Sequence, residues 1–573
     1  MDALRLSTLR WFDTTNGKSS TLSIAPYNRG SGIIRRPASR CLPAAPYPAL
    51  VFIMLLFELV LLMLLCSVAL GWVARHFKFP YPIALVVGGA LLGFVPRLPQ
   101  IPFDPQTILI LVLPPILYQA ALLTSWHDFK ANIRPIGLLA IGLVLATTLV
   151  VGGALKLLVP DMPWAVAFVF GAIVSPPDAV AATSILSRVN IPRRIVTVLE
   201  GESLVNDASG LVIYKFAIAA VLTGSFSLFD AGTQLVSVAV GGILIGVVLA
   251  HAFIFIHRRL GDPFIEVLTA LIIPYVTYIA AESFHTSGVL AVVAAGLVRG
   301  RYSPEIVSPE MRIMARSVWN ILVFMLNSLI FMLIGIQLSD AGEKLLSHSL
   351  GQLLLWGLFV SVVAVLVRFV WVFPVAYLPR WLSGSLHEHE PKQANNELAI
   401  ISWCGMRGIV SLAAALALPM TLPDGAPFPY RDLIIFLTFC VIVITLVGQG
   451  FTLPTLIRGL NVGTDWSMHD EQQHVRAAVG AAAQAAIDDI VAAESVPYDL
   501  AERLRAEMAG RFAQAASEGA DPLPGAELEV RLRRAAILAE RKELIRLWRE
   551  NKISDEVMHH IEEVLDYQQA ELD

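Results

Sequence analysis

Runs of about twenty apolar residues recur from residue 51 to residue 457, separated by short polar breaks. This pattern constrains the fold more than any other feature of the chain. A helix rises about 1.5 Å per residue, so each run is long enough to cross a hydrocarbon core of about 30 Å. The runs fall near 51–74, 80–98, 106–125, 135–158, 163–188, 193–222, 232–256, 264–281, 286–299, 315–338, 351–378, 396–419 and 431–457. Composition agrees: only 15% of residues are charged, against roughly 25% in a soluble domain. The expected fold class is an all-α polytopic membrane protein with about thirteen transmembrane helices. A soluble globular protein is excluded, and nothing points to a nucleic-acid partner.

Loop charge orients the spans. With the C-terminus in the cytoplasm, the inner loop ends carry fifteen Lys and Arg and the outer ends four. Lys and Arg favour the cytoplasmic side, which supports thirteen spans with the N-terminus outside. Residues 1–48 object, because Arg35, Arg36 and Arg40 precede the first span. That segment reads as a polar N-terminal extension or as an upstream start, with Met54 as the preferred alternative. Residues 51–462 form the transmembrane domain. Residues 463–573 are charged and amphipathic and read as a cytoplasmic α-helical tail whose last two helices turn at "ENKIS". Cys41, Cys66, Cys404 and Cys440 lie far apart and lack metal spacing. The sequence "LHEHEPK" at 386–392 reads as a solvated polar turn.

Two acidic sites sit inside apolar runs. In "GAIVSPPDAVAATSI" the prolines Pro176 and Pro177 lack N–H groups and interrupt the helix beside Asp178. Open backbone at membrane depth is tolerated where protein buries it or where it lines a cavity. In "LEGESLVNDASG" the next span carries Glu200, Glu202, Ser203, Asn206 and Asp207. Consecutive antiparallel spans bring Asp178 and Asp207 to one level, and Ser203 and Asp207, at i and i+4, share a face. Oxygen ligands there suit a small cation. Burial also favours the protonated form of a carboxylate. One side chain can thus carry either a proton or a cation, the minimum chemistry of exchange. The bland reading is a proline kink with a capping carboxylate.

Span twelve, "ISWCGMRGIVSLAAALALP", places Arg407 between Gly405 and Gly408. An unpaired Arg at that depth is costly, so its expected partner is Glu202 or the carbonyl end of the broken helix. Two interrupted spans in matching positions point to an inverted-repeat transporter with two broken crossing helices. A cation channel is the alternative, and the buried Arg argues against it. A membrane-embedded enzyme is a third reading, but no histidine shares a span with Ser203 and Asp207 to act as base.

These motifs, with "WNILVFMLNSLIFMLIGIQL", resemble the bacterial branch of the monovalent cation:proton antiporter-1 family, the NhaP and NHE-type sodium/proton exchangers. The likeness runs from about 54 to 462. It implies a homodimer in the bacterial plasma membrane that exchanges Na⁺, Li⁺ or K⁺ for H⁺ in pH and cation homeostasis. No cofactor and no enzymatic activity are implied. The cation and proton site would be Asp207 with Asp178, Ser203 and Asn206. Glu202 and Arg407 would form a structural ion pair. Asn206 would make exchange electroneutral. Two positions depart from the pattern: Pro177 stands where members often have Thr, and Gln119 where some have an acid.

Overall fold

The structure, a computed structural model, describes residues 47–77, 81–93, 95, 105–186, 191–224, 228–344, 349–382, 395–460, 462, 467–493, 498–510 and 526–570. Most of the polar N-terminal extension and the 386–392 segment lie outside these residues. Each apolar run is helical over most of its length. Helices α1 (Tyr47–His76), α2 (Tyr81–Gly93) and α3 (Pro105–Leu123) lead to the short α4 (Trp126–Ala131). The fourth run is α5 (Ile133–Gly137), a π-helical turn over Leu138–Leu143, and α6 (Val144–Leu158). The fifth is split into α7 (Trp164–Val174) and α8 (Ala179–Leu186). Then come α9 (Arg193–Thr223), α10 (Leu228–His257), α11 (Pro263–Ser283), α12 (Gly288–Ile306), α13 (Pro309–Lys344) and α14 (Leu350–Leu382). The twelfth run is also split, into α15 (Asn395–Trp403) and α16 (Ile409–Leu416), before α17 (Arg431–Leu460). Among the described residues, eight helical stretches are long and apolar enough to cross a membrane. Leu65, Leu244, Leu355 and Val370 leave large apolar side chains exposed. Surface of this kind belongs in lipid rather than water.

Local signals set the boundaries. Pro176 and Pro177 end α7, because each removes a ladder donor and its ring crowds the preceding turn. Asp262 caps α11 by accepting from the N–H groups of Phe264 and Ile265, with Pro263 at the first helical position. Close packing orders the rest. A Cβ on Gly171 of α7 would fall 2.2 Å from the Thr148 carbonyl oxygen of α6, so only glycine lets these helices touch there.

Two large apolar cores organise the membrane region, beside a small cluster of Val267, Ala270, Val307 and Met311. The larger draws Val169 and Ile173 from α7, Val360 from α14, Leu412 from α16 and Val441 from α17. The smaller draws Leu117 from α3, Ile273 from α11, Val292 from α12 and Trp319 from α13. Helix α9 belongs to both: Leu199 enters the larger core, and Leu204 and Ala208 the smaller.

The tail comprises α18 (Ser467–Ala493), α19 (Tyr498–Gly510), α20 (Ala526–Arg549) and α21 (Asp555–Ala570). Val479, Leu544, Val557, Ile561 and Leu565 form a core of their own. Asn551, with φ of 54°, takes the left-handed conformation that turns α20 into α21. Helix α21 docks through carboxylates. Arg312 of α13 contacts Glu562 at 2.8 Å and Asp566 at 2.6 Å. Arg316 pairs with Glu563. Arg193, the first residue of α9, reaches Glu556 at 3.1 Å, and Arg549 of α20 reaches Glu305 of α12 at 2.7 Å.

Burial pushes the Glu562 carboxyl up, but His559, Arg312 and Arg541 together outweigh it and hold it below the usual range. A carboxyl depressed in the folded state stabilises docking above the ordinary glutamate value of about 4.3, and that stability is lost as pH falls through the depressed value. Hydrogen-exchange protection of 555–570, corrected for intrinsic rates, should therefore hold from pH 8 to 6 and fall only below about pH 4. Arg312→Ala should lose it at neutral pH. Protection already lost at pH 6 in the unmodified chain would contradict this account.

Candidate functional site

The chain between α7 and α8, and that between α15 and α16, lies open at Ser175–Asp178 and Cys404–Gly408. Buried backbone groups must find partners, and here each interruption supplies partners to the other. The Asp178 N–H donates to the Met406 carbonyl at 2.7 Å. The Arg407 guanidinium donates to the Ser175 carbonyl, at the end of α7. The Arg407 N–H donates to Thr445 Oγ1 of α17 at 3.1 Å. Helix α9 adds two more contacts: Asn206 Nδ2 donates to the Pro177 carbonyl at 3.4 Å, and Ser203 Oγ accepts from the Ala179 N–H at 3.2 Å. Pro177 brings no hydroxyl, but its carbonyl is held.

Gly408 is required by this crossing, since a Cβ there would fall 1.8 Å from Asp178 Oδ2. The Asp178 carboxylate thus lies directly against the second interruption.

The expected Glu202–Arg407 pair does not form. Glu202 is engaged by Arg368 of α14 instead, in a two-pronged contact of 2.5 Å and 2.7 Å with both side chains 1% exposed. Arg368 Nε also donates to the Ile401 carbonyl of α15 at 3.0 Å. Its stem passes over Gly405, where a Cβ would fall 2.7 Å from Arg368 Cδ. The planar guanidinium matches a carboxylate fork and has a donor to spare. That leaves Arg407 to the other expected partner, the α7 carbonyl end. Arg368 and Thr445 are the residues that sequence reasoning did not place. Arg368 lies inside the apolar run 351–378, where a charge needs a partner, but nothing in the sequence names Glu202 as that partner.

Asp178, Ser203 and Asp207 line one cavity of about 190 Å³, with Pro177 and Gly408. Asp207 is 7% exposed, and its carboxylate accepts no hydrogen bond among the described residues. Asn206 lies beside the cavity rather than in its wall. The part of the wall that α3 supplies is apolar except for Thr124, with Val112, Ile116 and Leu117 among its residues. Gln119 of α3 does not reach this cavity. It lines a separate one of about 110 Å³ with Arg299, Asn320 and Glu562. Lys215, two turns beyond Asp207, turns away and pairs with Glu282 at 3.2 Å. Among the described residues no group of three or more metal-ligating side chains occurs. The cavity therefore brings three carboxylates, Asp178, Glu200 and Asp207, and the hydroxyls of Thr124, Thr183, Ser203 and Ser411 into largely apolar walls.

Residues 60–459 match the family described as "Sodium/hydrogen exchanger, transmembrane". The chain is 32% identical over 529 residues to "Uncharacterized Na(+)/H(+) exchanger Rv2287" of Mycobacterium tuberculosis, covering 90% of this chain and 97% of that one. It is 36% identical over 410 residues to "Sodium, potassium, lithium and rubidium/H(+) antiporter" of Bacillus pumilus, covering 70% of this chain and 61% of that one. Among solved structures, the sodium proton antiporter MjNhaP1 of Methanocaldococcus jannaschii matches with a TM-score of 0.57 at 20% identity, over 71% of this chain and 99% of that one. That likeness speaks for the fold alone.

The Glu202–Arg368 contact can be measured. Glu202→Gln or Arg368→Met should each destabilise the detergent-solubilised protein by about 3–5 kcal/mol, because each leaves a buried charge unpaired. The double variant should lose less than the sum. A cycle of Glu202 with Arg407 should couple more weakly, and equal coupling in the two cycles would refute the pairing.

Proposed function

Because this chain belongs to the sodium/hydrogen exchanger family, and is thus a multi-pass membrane antiporter of cations and protons, we propose that it exchanges Na⁺, Li⁺ or K⁺ for H⁺ at Asp207. The observation that carries this reading is the Asp207 carboxylate itself: buried, facing a cavity, and accepting no hydrogen bond among the described residues. Such a group can shed a proton only if a cation replaces it, since a bare charge there is costly. Ser203 and Asp178 supply the further oxygens. The printed name of the Bacillus pumilus relative supports a broad choice of alkali cation. Family membership does not favour the channel reading.

The architecture proposed with it has thirteen spans. Residues 164–186 and 395–416 each form one broken span, and the two cross at Asp178 and Met406. Halves containing them would be inverted repeats, and alternating access would come from movement of one bundle against the other. The Lys and Arg excess supports a cytoplasmic side for the α9 start and for the tail docked there, and the bacterial relatives support a bacterial cell. The protein would work as a homodimer in the plasma membrane and serve pH and cation homeostasis, without cofactor or enzymatic chemistry.

The direct test is proton movement in everted vesicles on separate addition of Na⁺, K⁺ and Li⁺. Asp207→Asn should abolish it while the protein still inserts, because the shape is kept and the titrating charge is gone. Exchange near the unmodified rate would end the assignment.

Stoichiometry follows from Asn206, which cannot titrate. One cation displaces one proton from Asp207, provided Asp178 stays ionised at the start of α8, where the helix dipole favours a negative charge. Transport should then be electroneutral. A sodium-driven current in reconstituted liposomes, or a rate that follows an imposed potential, would show a second proton carried by another group.

A further inference from the structure

The Asp207 cavity has another carboxylate in its wall. Glu200 of α9 lines it, together with Thr183 of α8 and with Leu123 and Thr124 at the end of α3. Glu200, Ser203 and Asp207 are spaced i, i+3 and i+7, which puts them on one helix face. Seven residues separate the ends of that series, so Glu200 lies about 10 Å along α9 from Asp207. It lies toward the Arg193 end, where Leu123 is 62% exposed. Glu202, two residues on, faces the other way and is locked by Arg368. Glu200 accepts no hydrogen bond and enters no ion pair among the described residues.

The charged residues in the cavity wall, Asp178, Glu200 and Asp207, are all carboxylates. Glu556 and Arg193 are the groups that act on Glu200. Arg193 is shared between Asp128 at 2.7 Å and Glu556 at 3.1 Å. One guanidinium therefore faces three carboxylates. A cleft lined by charge of one sign, with apolar walls, focuses the field and concentrates counter-ions. The walls here are Leu117, Leu123 and Val410.

We propose that Glu200 is a cation-recruiting residue of this antiporter, a carboxylate at the cavity mouth that gathers monovalent cations and passes them to Asp207. The assignment rests on the antiport reading. It adds a specific residue that the exchange step at Asp207 does not itself require. The bland alternative is a solvated carboxylate near a helix end with no effect on transport.

The experiment uses the full chain in everted vesicles, where added Na⁺ meets the Glu200 end, at fixed pH. Glu200→Gln should raise the apparent KM for Na⁺ about tenfold, the low end for charge-lined clefts, with a much smaller change in maximal rate. Glu200→Asp should restore most of the loss. Choline chloride, which screens without being transported, should raise the KM of the unmodified protein toward that of Glu200→Gln and leave the variant's unchanged. An unchanged KM in Glu200→Gln, or a fall in maximal rate alone, would overturn the proposal. If that variant does not reach the membrane, a KM of the unmodified protein that ignores choline overturns it equally. Absence of any cation-driven proton movement in the unmodified protein would overturn the antiport reading, and this inference with it.

Discussion

The open backbone at Ser175–Asp178 and Cys404–Gly408 is the constraint from which the rest of the membrane region follows. In hydrocarbon each unpaired N–H or C=O costs several kcal/mol. The two interruptions solve this by crossing, with the Asp178 N–H on the Met406 carbonyl and Arg407 on the Ser175 carbonyl. Helix α9 runs alongside, where Asn206 holds the Pro177 carbonyl and Ser203 the Ala179 N–H. Its Glu202 needs a cation of its own, which brings in α14 through Arg368, and Arg368 in turn holds α15 through Ile401. Few residues thus fix the relative places of six helices, and they leave Asp207 as the buried carboxylate of this cluster that is spent on none of these bonds.

This division of labour explains how two acids five residues apart differ in role. Glu202 and Asp207 share a helix and are both buried. One is clamped by a guanidinium and is structural. The other faces a cavity. Geometry around the helix, rather than residue type, separates them.

Sequence alone reveals what bilayer physics forces. Apolar run length tracks hydrocarbon thickness, so most helices of the membrane region could be placed to within a few residues, whereas α12 and α13 run six or seven residues beyond the apolar stretch into polar sequence. Asp178 and Asp207 stood out because charge in an apolar run demands a reason, and Pro176–Pro177 marked the open backbone. Lateral choices were not legible. Glu202 could have met Arg407 or Arg368, and only the sideways arrangement of α9, α14 and α15 decides between guanidiniums 166 and 205 residues away in sequence. Gln119 failed for the same reason: its place on α3 was readable, but the cavity it faces depends on α12 and α13. The π-helical turn left no readable mark, since "LLAIGL" is compatible with an ordinary α-helix.

That turn has a consequence of its own. The wider coil over Leu138–Leu143 presents carbonyls sideways: Ala140 accepts from Ser209 Oγ of α9, and Leu138 accepts from Trp371 Nε1 of α14 at 3.1 Å. A π-turn amounts to one residue inserted into an α-helix. The wide turn takes up that extra residue, so α6 beyond it keeps the rotational phase of a helix one residue shorter. Thr148 and Gly152 therefore still meet Gly171 and Ala167 of α7, where the backbones touch. Loss of one residue from 138–143 would turn the segment into an ordinary α-helix and withdraw the sideways carbonyls from Ser209 and Trp371, while the seam between α6 and α7 would keep its register.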